Sequence, residues 1–356
     1  MVPAQKVEST LARIRPIDAA WISRAEARQL QLTKPPGSLG RLEEIANRLC
    51  AIQRTLTPRI DQPRIVVFAG DHGVCQEGVN PYPQEVTAQM VRNFLAGGAA
   101  INALARVAAA ELVVVDTGVV SELERASQLV SRRIAAGTRN FCVEPAMSFD
   151  EAVAALSIGI DCAEEAVRDG CTLLGLGEMG IGNTTAASAI TVALTGLPAE
   201  MVCGRGTGSD DAALMRKIDA VKRAIALHRP FTADRMELLA RLGGFEIAAM
   251  CGLCLGSAAL QCAVIVDGFI STAAAAVAVR LCPAVGDYLF AAHRSTEPGH
   301  APLIAILGQA PLFDLSMRLG EGTGAALAIP VFRAAVEAFT HMATFTSAGV
   351  SDASRA

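Results

Sequence analysis

Two glutamates lie inside glycine-rich stretches, where a carboxylate could act beside a bound phosphate. Glu178 falls within residues 175–185, which contain four glycines and follow the short apolar run 171–174. Glycines let backbone N–H groups approach an anion closely, and the helix predicted over 186–194 would add the positive end of its dipole. Because binding a phosphate gains nothing from a negative side chain, Glu178 indicates chemistry next to the phosphate.

Two further glycine-rich loops precede predicted helices. Residues 204–208 carry Arg205, which suits a phosphate, and residues 320–324 carry Glu321 between two glycines. Paired carboxylates suit cleavage of the glycosidic bond of a nucleotide, because positive charge develops at C1′ and one carboxylate can take a proton as general base. The alternative for each acid is an ordinary first-turn residue that favours the helix dipole.

The first loop matches two nucleotide-binding motifs in part. Residues 175–180 fit the dinucleotide fingerprint, but Glu200, at the spacing of the ribose-binding acid, follows a turn and not a strand. Residues 177–184 fit a Walker A loop with Asn183 in place of lysine, so the contact to β- and γ-phosphates is missing. A nucleotide monophosphate therefore fits better than NAD or ATP, and a plain strand-to-helix turn stays open.

Other polar residues give weaker signals. Asp71 and His72 follow an apolar run and precede a glycine, and the histidine could be either catalytic or structural. His293 and His300, even taken with Asp71, lack the close spacing of a metal site, so we expect neither a metal nor another cofactor.

Composition favours helices packed on a parallel sheet. Of 356 residues, 52% are hydrophobic but only 4% aromatic, so alanine, valine, leucine and isoleucine must build the core. The net charge of −4, without a basic cluster, argues against nucleic acid as a partner. Ten cysteines in mostly apolar surroundings favour a reducing cytoplasm, and the first residues lack a signal-peptide pattern. The uncharged residues 247–266 could span a membrane by length, but their weak hydrophobicity favours a buried helix and then a strand.

Short apolar runs alternate with helical patterns along the chain. Each run ends in glycine or a polar residue, and the runs are 65–69, 112–115, 171–174, 263–266 and 288–292. Helical patterns such as 152–167 and 210–227 separate them, which predicts an α/β fold with a doubly wound, mostly parallel sheet flanked by helices. Polar residues at the carboxyl ends of such strands should converge on one site.

Helical patterns occur at both chain ends. We expect residues 1–62 to form an N-terminal helical portion, 63–308 to form the α/β domain, and 309–356 to form a C-terminal helical portion that carries the Glu321 loop. Pro330 predicts a kink or break in the last long helix.

Four stretches form a recognisable set when taken together. In chain order they are TKPPGSLGRLE from residue 33, FAGDHGV from 68, GEMGIGNTT from 177 and RLGEGTGA from 318. They span nearly the whole chain, which resembles the nicotinate-nucleotide–dimethylbenzimidazole phosphoribosyltransferases of cobalamin nucleotide-loop assembly. The resemblance implies a homodimer with a parallel α/β sheet and a smaller helical part made from the two chain ends. It also implies that nicotinate mononucleotide gives its phosphoribosyl group to a ring nitrogen of 5,6-dimethylbenzimidazole. Nicotinate leaves, and α-ribazole 5′-phosphate forms with inversion at C1′.

The resemblance also implies roles for individual residues. Glu321 would be the general base that takes the benzimidazole proton, and Glu178 would lie near the ribose. The nucleotide and its phosphate would be bound by Gly177, Met179, Gly180, Ile181, Gly182, Asn183, Thr184, Gly204, Arg205, Gly206, Thr207 and Gly208. The base would contact Pro81, Tyr82, Gln89, Met90 and Leu319. Relatives often carry smaller residues at positions 80–82, which bears on the base that this chain accepts.

Overall fold

A six-stranded parallel sheet forms the centre of the protein. The computed structural model describes residues 2–124, 126, 128–206, 208, 210–229 and 233–351. The strands are β1 (Arg64–Gly70), β2 (Glu111–Gly118), β3 (Leu129–Ser131), β4 (Leu173–Met179), β5 (Ala263–Val266) and β6 (Leu289–Ala291). Their order, β3-β2-β1-β4-β5-β6, reverses between β1 and β4, and every neighbouring pair is parallel. The predicted doubly wound α/β fold is confirmed.

Helices flank the sheet and occupy both chain ends. They are α1 (Pro3–Arg13), α2 (Ala19–Gln29), α3 (Arg41–Gln53), α4 (Glu85–Leu95), α5 (Ala100–Val107), α6 (Phe149–Arg168), α7 (Asn183–Thr195), α8 (Ala199–Val202), α9 (Asp211–His228), α10 (Arg235–Leu242), α11 (Phe245–Ala259), α12 (Phe269–Leu281), α13 (His300–Leu307), α14 (Thr323–His341) and α15 (Phe345–Ala348). Two 3₁₀ turns, Gly73–Glu77 and Pro283–Tyr288, complete the regular structure of the described residues.

The uncharged stretch 247–266 forms buried structure, as predicted. It consists of most of α11, whose residues up to Ala258 are buried, followed by β5. Glycines allow α11 to pack closely on α6, because a Cβ at Gly159 would lie only 1.8 Å from the Ala249 carbonyl oxygen. A Cβ at Gly252 would lie 2.0 Å from the Leu156 carbonyl oxygen. The stretch is therefore a core helix and a core strand.

The two chain ends meet beside the sheet. The backbone N–H of Thr33 donates to Ala343 O at 3.0 Å, and that of Phe345 donates to Gln31 O at 2.9 Å. α14 packs on α3, α5 and β4, whereas α1 packs on α6 and α11. Among the described residues, α14 is the one helix long and apolar enough to cross a membrane, but half of that apolar window is buried in the protein.

One local prediction was wrong. Residues 175–179 continue β4 instead of forming a loop, because Gly175 and Gly177 lie where the start of α14 presses on the sheet. A Cβ at Gly177 would lie 2.6 Å from Glu321 O, and one at Gly175 would lie 3.2 Å from the Ala325 Cβ. α14 continues through Pro330, which excludes a break there, whereas the kink stays a prediction.

Candidate active site

A cavity of about 340 Å³ opens beside the carboxyl ends of β4, β5 and β6. It adjoins the point where the strand order reverses, where the loops of a doubly wound sheet diverge and leave a crevice. The predicted site residues that line it are Tyr82, Met90, Glu178, Met179, Gly180, Ile181, Gly182, Asn183, Thr184, Arg205, Gly206, Leu319 and Glu321. The structure thus brings both carboxylates and most of the glycine-loop residues around one space.

Several predicted site residues lie elsewhere. Those that do not line the cavity are Gly177, Gly204, Gly208, Pro81 and Gln89. Gly177 is covered by the Glu321 carbonyl, and both Pro81 and Gln89 are exposed. Thr207 lies outside the described residues.

Glu178, near the end of β4, is a buried carboxyl at the floor of this space, with 6% of its surface exposed. It accepts a hydrogen bond from the side-chain amide of Asn183, and a Cβ at Gly320 would touch its Oε1. Burial raises the pKa of Glu178 to about 8, and the charges of Asp267 and Glu246 add to the effect. In the ligand-free site Glu178 therefore holds its proton at neutral pH.

Glu321 reaches the cavity from the loop before α14. Its φ of +62° is unusual for a residue with a side chain, and such strain is typical of functional positions. Its Oε2 accepts the backbone N–H of Ile101 at 3.2 Å. Burial raises the pKa of Glu321, the Ile101 bond opposes this, and Asp267 adds to the rise. The rise brings the pKa of Glu321 closer to that of an efficient general base at neutral pH.

Asp267, which follows β5, fixes the Glu321 loop. Its two oxygens accept the N–H groups of Gly322 at 3.1 Å, Gly324 at 2.6 Å and Ala325 at 3.2 Å. This side chain therefore caps the N-terminus of α14 from a neighbouring strand. Burial raises the pKa of Asp267 to about 6, although His293, whose Nε2 lies 3.7 Å from Oδ1, and the three N–H groups oppose the rise. At neutral pH the cap is ionised.

Lys217 brings a buried cation to the glycine loops, although it lies on α9. It is 2% exposed, and its Nζ donates to Thr184 Oγ1 and to the Gly204 carbonyl oxygen, both at 3.1 Å. Burial lowers the pKa of Lys217, and the nearby Glu297 opposes this. An ammonium group beside the N-terminus of α7 makes an anion site, so a lysine within the loop is not needed.

Lys217 was not predicted from the sequence, although a signal was present. The buried residues of α9 include Ala213, Lys217, Val221 and Ala224, which share one helix face. A lysine inside such an apolar stripe must find a partner in the interior, so its position alone marks it as unusual.

Glu297 shapes the second glycine loop, and sequence analysis missed it too. Its Oε1 accepts the Gly206 N–H at 2.9 Å, whereas its buried Oε2 has no hydrogen-bond partner among the described residues. A Cβ at Gly204 would lie 2.3 Å from Oε2, so only glycine fits there. Glu297 therefore positions the loop and keeps a negative charge near Lys217.

Asp71 and His72 do not line the cavity. His72 Nε2 lies 2.7 Å from Glu246 Oε1, and both side chains are completely buried. Asp71 Oδ2 accepts the Val120 N–H at 2.8 Å. The His72–Glu246 pair lies behind the loop at Gly180, where a Cβ would lie 3.5 Å from Glu246 Oε1. In the described part of the chain, no group of three His, Cys, Asp or Glu residues could hold a metal ion.

The dinucleotide fingerprint is not formed at residues 175–180. Its first two glycines lie inside β4, under the Glu321 loop, and not in the turn that would face a pyrophosphate. The NAD-binding interpretation therefore has no structural basis at this loop.

Comparisons with known proteins agree on one family. A family model described as phosphoribosyltransferase matches residues 14–350. Relatives named nicotinate-nucleotide–dimethylbenzimidazole phosphoribosyltransferase include those of Chloroflexus aggregans, 52% identical over 343 residues (96% of this chain, 97% of that protein), and Geobacter sulfurreducens, 52% identical over 342 residues (96% and 97%). A crystal structure of the Thermus thermophilus enzyme of that name has a TM-score of 0.90 and 47% identity, covering 94% of this chain and 100% of its own.

These matches extend over nearly the whole chain, and they agree with the four sequence stretches and the parallel sheet. The resemblance predicted from the sequence is confirmed. The chain belongs to the nicotinate-nucleotide–dimethylbenzimidazole phosphoribosyltransferase family and is a phosphoribosyltransferase.

Proposed function

We propose that this enzyme transfers the phosphoribosyl group of nicotinate mononucleotide to 5,6-dimethylbenzimidazole, the two substrates in the names of its relatives. One observation carries the proposal. A single cavity combines an anion site at Lys217 with two buried carboxyls, Glu178 and Glu321, whose pKa values are raised. That combination fits a nucleotide monophosphate whose C1′ becomes more positive during the reaction.

The reaction exchanges one ring nitrogen for another at C1′. The bond from C1′ to nicotinate breaks, and its electron pair leaves with the ring nitrogen, so the cationic pyridinium departs as a neutral ring. A benzimidazole nitrogen forms the new bond from the opposite face, which inverts C1′ and gives α-ribazole 5′-phosphate. The other ring nitrogen loses its proton to Glu321, the general base.

The nucleotide phosphate would lie between Lys217 and the N-terminus of α7, with the Gly206 loop beside it. The ribose would lie near Glu178. A cationic nicotinate ring lowers the pKa of an adjacent carboxyl, so substrate binding favours loss of the Glu178 proton. The resulting carboxylate would stabilise the positive charge that develops at C1′.

The base would occupy the apolar side of the cavity. Val79, Val86 and Met90 line this side, with Tyr82 and Leu319 at positions that are about half exposed. A flat bicyclic ring with two methyl groups suits such a wall, because it offers apolar area and needs few polar contacts.

The same proposal extends to organisation and location. Residues 63–308 would supply the anion site and Glu178, whereas 309–356 would supply Glu321 and 1–62 would support that loop. We also propose that the enzyme is a homodimer, as the resemblance implies, and that it is cytoplasmic, as its ten cysteines in mostly apolar surroundings indicate.

The proposed reaction is tested by mass spectrometry of purified protein with nicotinate mononucleotide and a panel of bases, without added metal. We expect a ribazole phosphate and one equivalent of nicotinate, with 5,6-dimethylbenzimidazole among the best acceptors. Folded protein that forms no product with any base would contradict the proposal.

Glu321→Gln keeps the shape of the side chain but removes the base. We expect kcat to fall on the order of 10²- to 10⁴-fold, the usual contribution of a general base. The affinity for nicotinate mononucleotide, measured by calorimetry, should change little, because the anion site is untouched. Turnover like that of the wild type at pH 7 would remove Glu321 from this role.

Glu178→Gln should stabilise the ligand-free enzyme at high pH. The folded pKa of about 8 exceeds the ordinary value of 4.5, so the folded state binds more protons between these pH values and wild-type stability falls as pH rises through them. At pH 9 we expect the free energy of unfolding of the variant to exceed that of the wild type by roughly 2–4 kcal/mol. At pH 4.5 we expect the two free energies to be nearly equal. Urea unfolding of both proteins at the two pH values measures these free energies. If variant and wild type differ by the same amount at pH 9 and at pH 4.5, the pKa of Glu178 is not raised.

A further inference from the structure

The helix α9 contacts two sides of the cavity through consecutive residues. Lys217 binds Thr184 and Gly204 of the glycine loops, whereas Arg216 Nε donates to the Gly78 carbonyl oxygen at 2.7 Å. The same helix packs on α7 and on the 3₁₀ turn Gly73–Glu77. One helix therefore links the anion site to the segment that begins the apolar wall.

Charged hydrogen bonds at Glu77 anchor the end of the 3₁₀ turn. Glu77 Oε2 accepts Arg223 Nη2 of α9 at 2.6 Å, and Oε1 accepts Asn140 Nδ2 at 2.6 Å. The bonds from Arg223 and Asn140 lower the pKa of Glu77, so the anchor is ionised at neutral pH. Arg223 is itself oriented by Asp219, at 2.8 Å. The chain is thus held in place up to Glu77.

Beyond Glu77, the segment of residues 79–84 has few polar contacts. Between residues 79 and 82 the one hydrogen bond in the described structure joins the Tyr82 N–H to Asn80 Oδ1, at 3.5 Å. The segment is next held at Gln84, whose Nε2 donates to the His72 carbonyl oxygen at 3.1 Å. The position of Asn80 and Tyr82 therefore depends on how the two ends of the segment are held.

Gly78 is the turning point of this segment. Its φ is +65°, and a Cβ there would lie only 3.2 Å from Arg216 Nε. Both the backbone conformation and the close approach of the guanidinium thus favour glycine. A charge-assisted hydrogen bond to the carbonyl at this point restrains the segment where it can turn.

We propose that Arg216 is a positioning residue for the base pocket. It holds the Gly78 carbonyl, and through it Asn80 and Tyr82, at a set distance from the loops that Lys217 binds. This distance determines the width of the pocket and so the discrimination between bases that differ by two methyl groups. The inference rests on the proposed function of the cavity.

The test compares three variants of the full-length enzyme. Arg216→Ala removes the contact, and Arg216→Lys keeps a cationic donor. Lys222→Ala is the control, because it removes a charge from the same helix at a side chain that pairs with Glu200, away from Gly78. For Arg216→Ala we expect the KM for 5,6-dimethylbenzimidazole to rise roughly three- to tenfold, and its preference over unsubstituted benzimidazole to fall. The KM for nicotinate mononucleotide should stay within about twofold. Arg216→Lys should recover part of the loss, and Lys222→Ala should behave as the wild type.

Hydrogen–deuterium exchange gives a readout that does not need turnover. We expect the protected amides at the two ends of the segment to exchange faster in Arg216→Ala than in the wild type and in Lys222→Ala. These are the Gly78 amide, which donates to Cys75 O at 3.0 Å, and the Val86 amide, which donates to Pro83 O at 3.2 Å. Unchanged exchange, an unchanged KM for the base, or an equal rise in both KM values would overturn the inference. If the wild type itself turns over no base, the proposed function fails, and the exchange result still decides whether Arg216 holds the segment.

Discussion

The buried carboxylate of Asp267 is the interaction on which the site depends. It accepts three N–H groups at the start of α14, and a buried helix end without such a partner would cost several kcal/mol. The bonds hold the adjacent Glu321 in a left-handed conformation that a free loop would rarely adopt. The sheet makes room for this arrangement, because Gly177 brings β4 against the Glu321 carbonyl where any side chain would collide.

The same cap gives the site its electrostatic character. Burial raises the pKa values of Asp267, Glu178 and Glu321, and the charge of Asp267 adds to the rise at both glutamates. The cation Lys217 lies instead at the glycine loops. An acidic centre suits a substrate whose reacting carbon becomes positive, and the separate cation suits its phosphate. We therefore interpret the charge distribution as complementary to a nucleotide with a cationic ring.

Local sequence patterns predicted the fold better than they predicted the side-chain contacts of the site. The strand runs and the buried stretch 247–266 could be identified because burial on both faces of a parallel sheet leaves continuous apolar segments. The extension of β4 through its glycines could not be predicted, because those glycines are needed for close packing against the start of α14, which is far away in sequence. The capping role of Asp267 and the burial of Lys217 are also contacts between distant segments, although the lysine does interrupt an apolar helix face. Glu178 and Glu321, which both line the cavity, could be predicted as candidates because a carboxylate is unexpected in a glycine-rich loop suited to a phosphate.

Asp267 should affect the rate through the Glu321 loop, and a double-mutant cycle on kcat measures this coupling. Asp267→Asn replaces one oxygen with an N–H donor that faces backbone N–H groups, so the loop should lose its position. We expect this single variant to lose most of the rate that Glu321→Gln loses, and the double variant to be no slower than Glu321→Gln by more than about twofold. If the two losses in kcat multiply in the double variant, Asp267 and Glu321 act independently and Asp267 does not work through the Glu321 loop.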